Sequence, residues 1–191
     1  MLSSLLVVLG LGLFLLPIWR LHAPDARLAA FDQREWPKGR NLLLALLDLA
    51  RASGGAWLLA KGMPELPLLS SENEWMPDLV ISAIVALGLT VQTFAWTDED
   101  HVQAPVVFVA GVAAVLVAPA VAALVGVLAI GASLALRAWS GVFLAASLGT
   151  ILIGWLLNVQ SPSRVIFLGV ALGLPVVLSI LAGRHMGWPR K

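Results

Sequence analysis

Apolar residues in this chain come in runs too long for the strands and half-buried helices of a water-soluble domain. The longest covers residues 102–136, 35 positions without a charged side chain. As one helix it would measure about 52 Å, well beyond a hydrocarbon core of about 30 Å. Near its middle stands Ala118-Pro119-Ala120, and proline interrupts a helix because it lacks an N–H and its ring crowds the preceding turn. One helix here predicts six membrane crossings, and a break at Pro119 predicts seven. With the break, spans are expected at about 2–19, 41–60, 79–96, 102–117, 121–136, 140–158 and 165–183.

Charge arbitrates between the two counts. The segment 20–40 carries Arg20, Arg27, Arg34, Lys38 and Arg40 against three acids, which places it in the cytoplasm by the positive-inside rule and the N-terminus outside. A single helix over 102–136 would then leave Arg137, Arg184, Arg190 and Lys191 outside. A break brings them in, with only Lys61 and Arg164 remaining out, so seven crossings fit the rule better. A re-entrant hairpin has the same sidedness and stays open. The expected fold class is therefore all-α: one polytopic transmembrane helix bundle over residues 1–191, N-terminus outside and C-terminus inside. The run 2–19 has neither the basic start nor the small-residue cleavage site of a signal peptide, so it is read as the first helix. Asp25 is expected to cap a short helix with Leu28, Phe31 and Trp36 on the membrane surface. Ala145-x3-Gly149 and Gly169-x3-Gly173 are spacings that let membrane helices approach closely, and Pro175 is expected to kink the last span.

Composition agrees with lipid as the solvent: 60% of the 191 residues are hydrophobic and 12% charged, against about 25% charged in soluble domains. All eleven acids lie at or before Asp100, so the C-terminal half reads as embedded scaffold. The eight Trp, with no Tyr, fall mostly at span ends, as interfacial anchors do. Cysteine is absent, which excludes disulfides, thiolate metal sites and thiol nucleophiles.

Few residues are candidates for chemistry. Asp48 and Arg51 lie three apart on one face of the second span, where a charge costs at least about 2.5 to 3.5 kcal/mol. They read either as a proton relay, ion path or catalytic pair, or as a mutually neutralised pair that fixes helix packing, with Gln92 at similar depth. His101, after Asp98-Glu99-Asp100, reads as a general base or metal ligand at the cytoplasmic surface, or as part of a solvated turn. The basic first loop is a topology signal that also suits a phosphate or an anionic headgroup. No dinucleotide fingerprint, P-loop, zinc motif or serine-nucleophile elbow occurs, and the last span has no lysine for a retinal Schiff base. Neither a metal nor a cofactor is expected, and no nucleic-acid partner.

Several short motifs, scattered over the whole length, resemble the bacterial acyl-phosphate:glycerol-3-phosphate acyltransferases, integral membrane enzymes of phospholipid synthesis. Arg20-Leu21-x-x-Pro24-Asp25-x-Arg27 is similar to the end of that family's first helix and the loop beyond it. Lys38-Gly39 followed by Asp48-x-x-Arg51 resembles a Lys-Gly before an Asp-x-x-Lys pattern. His101, Pro105, Phe108 and Gly111-Val112-Ala113 resemble a Gly-His-x-x-Pro-x-Phe motif running into a Gly-Gly-Lys-Gly-Val-Ala loop. Ala118-Pro119 and Arg184-His185 have counterparts as well. In place of the family's phosphate-cradling loop this chain has Phe108-Val109-Ala110-Gly111, with one glycine and no lysine, and in place of its Gly/Asn-rich segment it has residues 28–36.

The resemblance implies a plasma-membrane protein of bacterial type that acts on a phosphate-bearing small molecule at the cytoplasmic face. Arg20, Arg27, Lys38, Arg40 and Arg184 would attract the phosphate, His101 or His185 would assist proton transfer, and a lipid-soluble acyl donor would enter between helices. Two other expectations stand beside it: a non-catalytic subunit packed in a membrane complex or homo-oligomer, and a small transporter or channel lined by Asp48 and Arg51.

Overall fold

The computed structural model of the chain describes residues 2–16, 27–29, 31, 40–66, 73–95 and 97–190. Seven helices occur among them: α1 (Leu2–Leu15), α2 (Arg40–Gly62), α3 (Met76–Ala95), α4 (Val106–Leu116), α5 (Pro119–Leu136), α6 (Ser140–Leu157) and α7 (Pro162–Leu181). Five of these, all but α1 and α4, are long and apolar enough to cross a membrane. Helix α5 has 18 residues and α4 has 11, about 27 Å against about 16 Å. Outward-facing Leu124, Val127, Leu128, Ile130 and Leu134 on α5, and Leu148, Leu152 and Leu156 on α6, are exposed. Such a surface is an aggregation patch in water and an ordinary one in lipid.

Helix α1 packs on α2, α2 on α4, α3 on α7, and α6 between α5 and α7. Phe14, Leu89, Phe108, Phe143 and Leu172 form the fully buried centre, with the rings of Phe14 and Phe108 edge to face at 5.0 Å. The small-residue spacing on α7 does admit a neighbour closely. A Cβ on Gly169 would lie 3.0 Å from the Ser147 carbonyl oxygen, and one on Gly173 2.9 Å from the Ser147 hydroxyl.

The long uncharged run is not one helix. Helix α4 ends at Leu116, Val117 and Ala118 are extended, and Pro119 opens α5 at a position where its missing N–H leaves nothing unpaired. The start of the run differs from expectation. Residues 102 and 103 belong to a strand, and the helix begins only at Val106. Pro105 accounts for this, because the residue before a proline is driven out of the helical region.

That strand belongs to a small sheet that an all-α reading did not anticipate. Strands β1 (Arg27–Ala29), β2 (His101–Gln103) and β3 (His185–Arg190) stand in the order β1-β3-β2. β3 runs antiparallel to β1 and parallel to β2. The expected surface helix after Asp25 is therefore corrected: residues 27–29 are a strand, and Leu28 and Phe31 are buried. β3 satisfies their backbone through the ladder, which a surface helix would have had to do alone. The sheet ties together segments that follow α1, α3 and α7, so these helix ends share one end of the bundle. The far end holds the start of α3, the α4–α5 break and the α6–α7 turn. There Asp78 accepts hydrogen bonds from Ser161, Ser163 and Arg164.

Candidate functional site

The register of β2 on β3 pairs His101 with His185. In a parallel pair, residues in register project to the same side of the sheet, and the two imidazole centroids lie 6.4 Å apart. Their neighbours Val102 and Met186 are buried. Asp98 shapes the turn before β2. Its Oδ1 accepts the backbone N–H groups of Asp100 and His101 and lies 3.3 Å from His101 Nδ1. The carboxylate thus holds both the turn and the ring.

The turn between α5 and α6 forms the opposite wall. Arg137 closes α5 in the left-handed region at φ 47° and ψ 40°, a conformation usually left to glycine. Its side chain is exposed, and among the described residues no acid pairs with it. Trp139 stacks edge to face on Phe31 at 5.0 Å and lies 5.6 Å from Trp188 of β3, which fixes the turn against the sheet. Its indole N–H is buried without a hydrogen-bond partner among the described residues.

Between these walls is a cavity of about 200 Å³ lined by Phe31, His101, Arg137, Ala138, Trp139, Ser140, His185 and Met186. With a water taking about 30 Å³ of liquid, it holds a group the size of a phosphate or a carboxyl ester. Two imidazoles, a guanidinium and an indole N–H that have no partner among the described residues, and a hydroxyl suit an anionic or strongly polarised oxygen.

Of the residues singled out from sequence, His101 and His185 meet in this cavity. Arg184 is partly exposed just before β3 and is not among the cavity's lining. Arg20 and Lys38 lie outside the described residues. Arg27 is placed in β1 and Arg40 at the start of α2, with their side chains outside the description. Sequence reasoning missed Ser140 and Trp139 as site residues and counted Arg137 only for topology. The available signal was the proximity in sequence of an arginine, an indole and a hydroxyl in one short helix-to-helix turn. Among the described residues no cluster of three or more His, Asp or Glu is placed to hold a metal.

Asp48 and Arg51 are elsewhere, and both are buried. Arg51 Nε donates to Asp48 Oδ1 at 3.1 Å, its Nη2 donates to the same oxygen, and its Nη1 donates to the carbonyls of Leu13 and Phe14. Gln92 Nε2 donates to the carbonyls of Phe14 and Leu16. The last carbonyls of a helix have no partner within it. Here α1 ends inside the bundle, and Arg51 and Gln92 satisfy those groups. The guanidinium also lies over the Phe108 ring at 5.1 Å. These contacts give the pair a packing role.

No family model matches the chain, and no curated protein or solved structure matches it.

Proposed function

We propose that the protein is a seven-crossing plasma-membrane protein, N-terminus outside, whose sheet-capped end faces the cytoplasm and takes a phosphate-bearing substrate for acyl transfer. The observation that carries this reading is the convergence of His101, His185 and Arg137, from three separate parts of the chain, on one cavity. A general base and a fixed cation beside a cavity of headgroup size are what transfer of an acyl group to a phosphorylated alcohol calls for. The short motifs shared with the acyl-phosphate-dependent acyltransferases point to the same reaction. β1, at this end, belongs to the stretch of sequence that carries Arg20, Arg27, Arg34, Lys38 and Arg40, a composition that suits recruitment of an anion.

The test is direct. Purified protein in detergent, supplied with acyl phosphate and glycerol 3-phosphate, should release inorganic phosphate. His101→Gln should slow release by about 100-fold or more, the usual cost of losing a general base. No release from the wild type removes acyl transfer in this form.

One observation favours a second reading, a non-catalytic subunit. Residues 108–111, which align with the family's phosphate loop, are helical here, and a Cβ on Gly111 would lie 2.8 Å from Ala52 Cβ and 2.9 Å from the Leu49 carbonyl oxygen. That stretch packs helices. Under the second reading the phosphate assay is silent and the protein purifies with a stable partner or as a homo-oligomer.

A further inference from the structure

We infer that the cavity at the α5–α6 turn opens sideways to the membrane and takes the phosphate monoester headgroup of a lipid, whose chain lies along the outer face of α5. The inference rests on the proposed reading for a phosphate-bearing ligand and adds where that ligand comes from. Helix α5 is covered on one side only. Its buried residues Val121, Val125, Ala129 and Ser133 recur every four positions, on the side packed against α6. On the bare side Val127, Ile130 and Leu134 are exposed, and steps of three and four residues carry this row to Arg137. Arg137 closes the helix, is exposed, and is also part of the cavity wall. The mouth of the cavity therefore lies where the apolar face of α5 ends.

The surroundings suit a headgroup in depth and in charge. Trp139 of the wall meets Phe31 edge to face and lies 5.6 Å from Trp188, and tryptophan side chains gather at the level of lipid headgroups. Among the described residues that line the cavity none is acidic, while His101, His185 and Arg137 bring N–H donors and positive charge. Asp98, beside His101, is engaged with the ring and with the backbone N–H groups of its turn. A phosphate monoester brings up to two negative charges and three strong acceptor oxygens to such a wall. Phe31, Ala138 and Met186 complete the lining with apolar surface. A soluble phosphate would use only the polar part of this arrangement, whereas a lipid uses the polar wall and the apolar row together.

Photolabelling in nanodiscs of phosphatidylcholine tests this. Two probes carry the same diazirine in the acyl chain, one on phosphatidic acid and one on phosphatidylcholine. Phosphatidic acid should label α5 between residues 124 and 136 at least about tenfold more than phosphatidylcholine does, with the adducts mapped by peptide mass spectrometry. Arg137→Gly removes the guanidinium and keeps the left-handed backbone, which glycine adopts freely. It should fold as the wild type does and lose that preference. A water-soluble short-chain phosphatidic acid should displace the probe at a concentration at least about 100-fold below that required of glycerol 3-phosphate or inorganic phosphate, because only the lipid buries methylene groups. Equal labelling by the two probes overturns the inference on the wild type alone, whatever the variant does. A preference that survives Arg137→Gly also overturns it, as does equal potency of the short-chain lipid and the soluble phosphates, which would make solution the source. Selective labelling without phosphate release from acyl phosphate leaves the lipid site standing and removes acyl transfer. Phosphate release without a preference for phosphatidic acid does the reverse.

Discussion

Arg51 shows how far a residue's neighbours in sequence can account for it. Its pairing with Asp48 was readable from the spacing of three on an apolar helix, because an unpaired charge there would be too costly. Its other partners were not readable, since the Leu13 and Phe14 carbonyls are backbone atoms that leave no trace in residue identity. Gln92, expected beside the pair, instead meets it through the end of α1. The Arg51→Met variant leaves the Asp48 carboxylate buried without the guanidinium and frees two carbonyls. It should cost about 3 kcal/mol or more, read as a lowered midpoint in a denaturant titration in detergent. Asp48→Leu combined with Arg51→Met should cost less than Arg51→Met alone, because no charge is then stranded. If Arg51→Met leaves the midpoint unchanged, the capping role is wrong. The site histidines illustrate the opposite case: each was visible as a residue, but their meeting depends on strand register, which short strands of three to six residues do not announce.

At the scale of elements, the break in the uncharged run was readable because proline acts locally, through its own ring and missing N–H. What makes the break tolerable was not. Extended backbone in an apolar bundle must find hydrogen-bond partners within the protein, and Gln160, from the distant α6–α7 turn, supplies both. Its Oε1 accepts the Ala118 N–H at 3.0 Å and its Nε2 donates to the Leu116 carbonyl at 2.9 Å. A loop glutamine carries no sequence mark of such a task. The Gln160→Leu variant matches it in size but strands one donor and one acceptor, so it should destabilise by about 2 kcal/mol. Gln160→Glu keeps the acceptor and loses the donor, and should fall between the two. Thermal melts of the three proteins in one detergent check the order. Equal melting temperatures for wild type and Gln160→Leu would show that solvent or detergent satisfies the break instead. The sheet was missed for a related reason: β1, β2 and β3 are short and unalternating, and only their mutual ladder makes them strands.

For the whole molecule, the seven helices and the two ends of the bundle follow from the apolar runs, whereas the number of membrane crossings turns on α4. At about 16 Å this helix of 11 residues does not span a hydrocarbon core, yet the extended residues before it, from His101 to Pro105, carry the chain inward from the sheet, with Val102 and Ala104 fully buried. Seven crossings, as proposed, require strand and helix together to supply the length that neither has alone. The absence of cysteine makes the proposed orientation testable with single introduced thiols and a membrane-impermeant maleimide. Glu74, Glu99, Ala120 and Val159 are exposed and lie respectively before α3, after α3, at the start of α5 and after α6. With seven crossings, the Glu99→Cys protein reacts only from the cytoplasmic side, and the Glu74→Cys and Val159→Cys proteins only from outside. A single crossing by 102–136 would instead place Val159 with Glu99. The Ala120→Cys protein separates the remaining alternative: outside labelling means that α4 and its strand complete the passage, and protection from both sides means that α4 and α5 form a re-entrant hairpin. If the thiols at 74 and 99 react from the same side, α3 does not cross, and the assignment of the sheet-capped end to the cytoplasm fails with it.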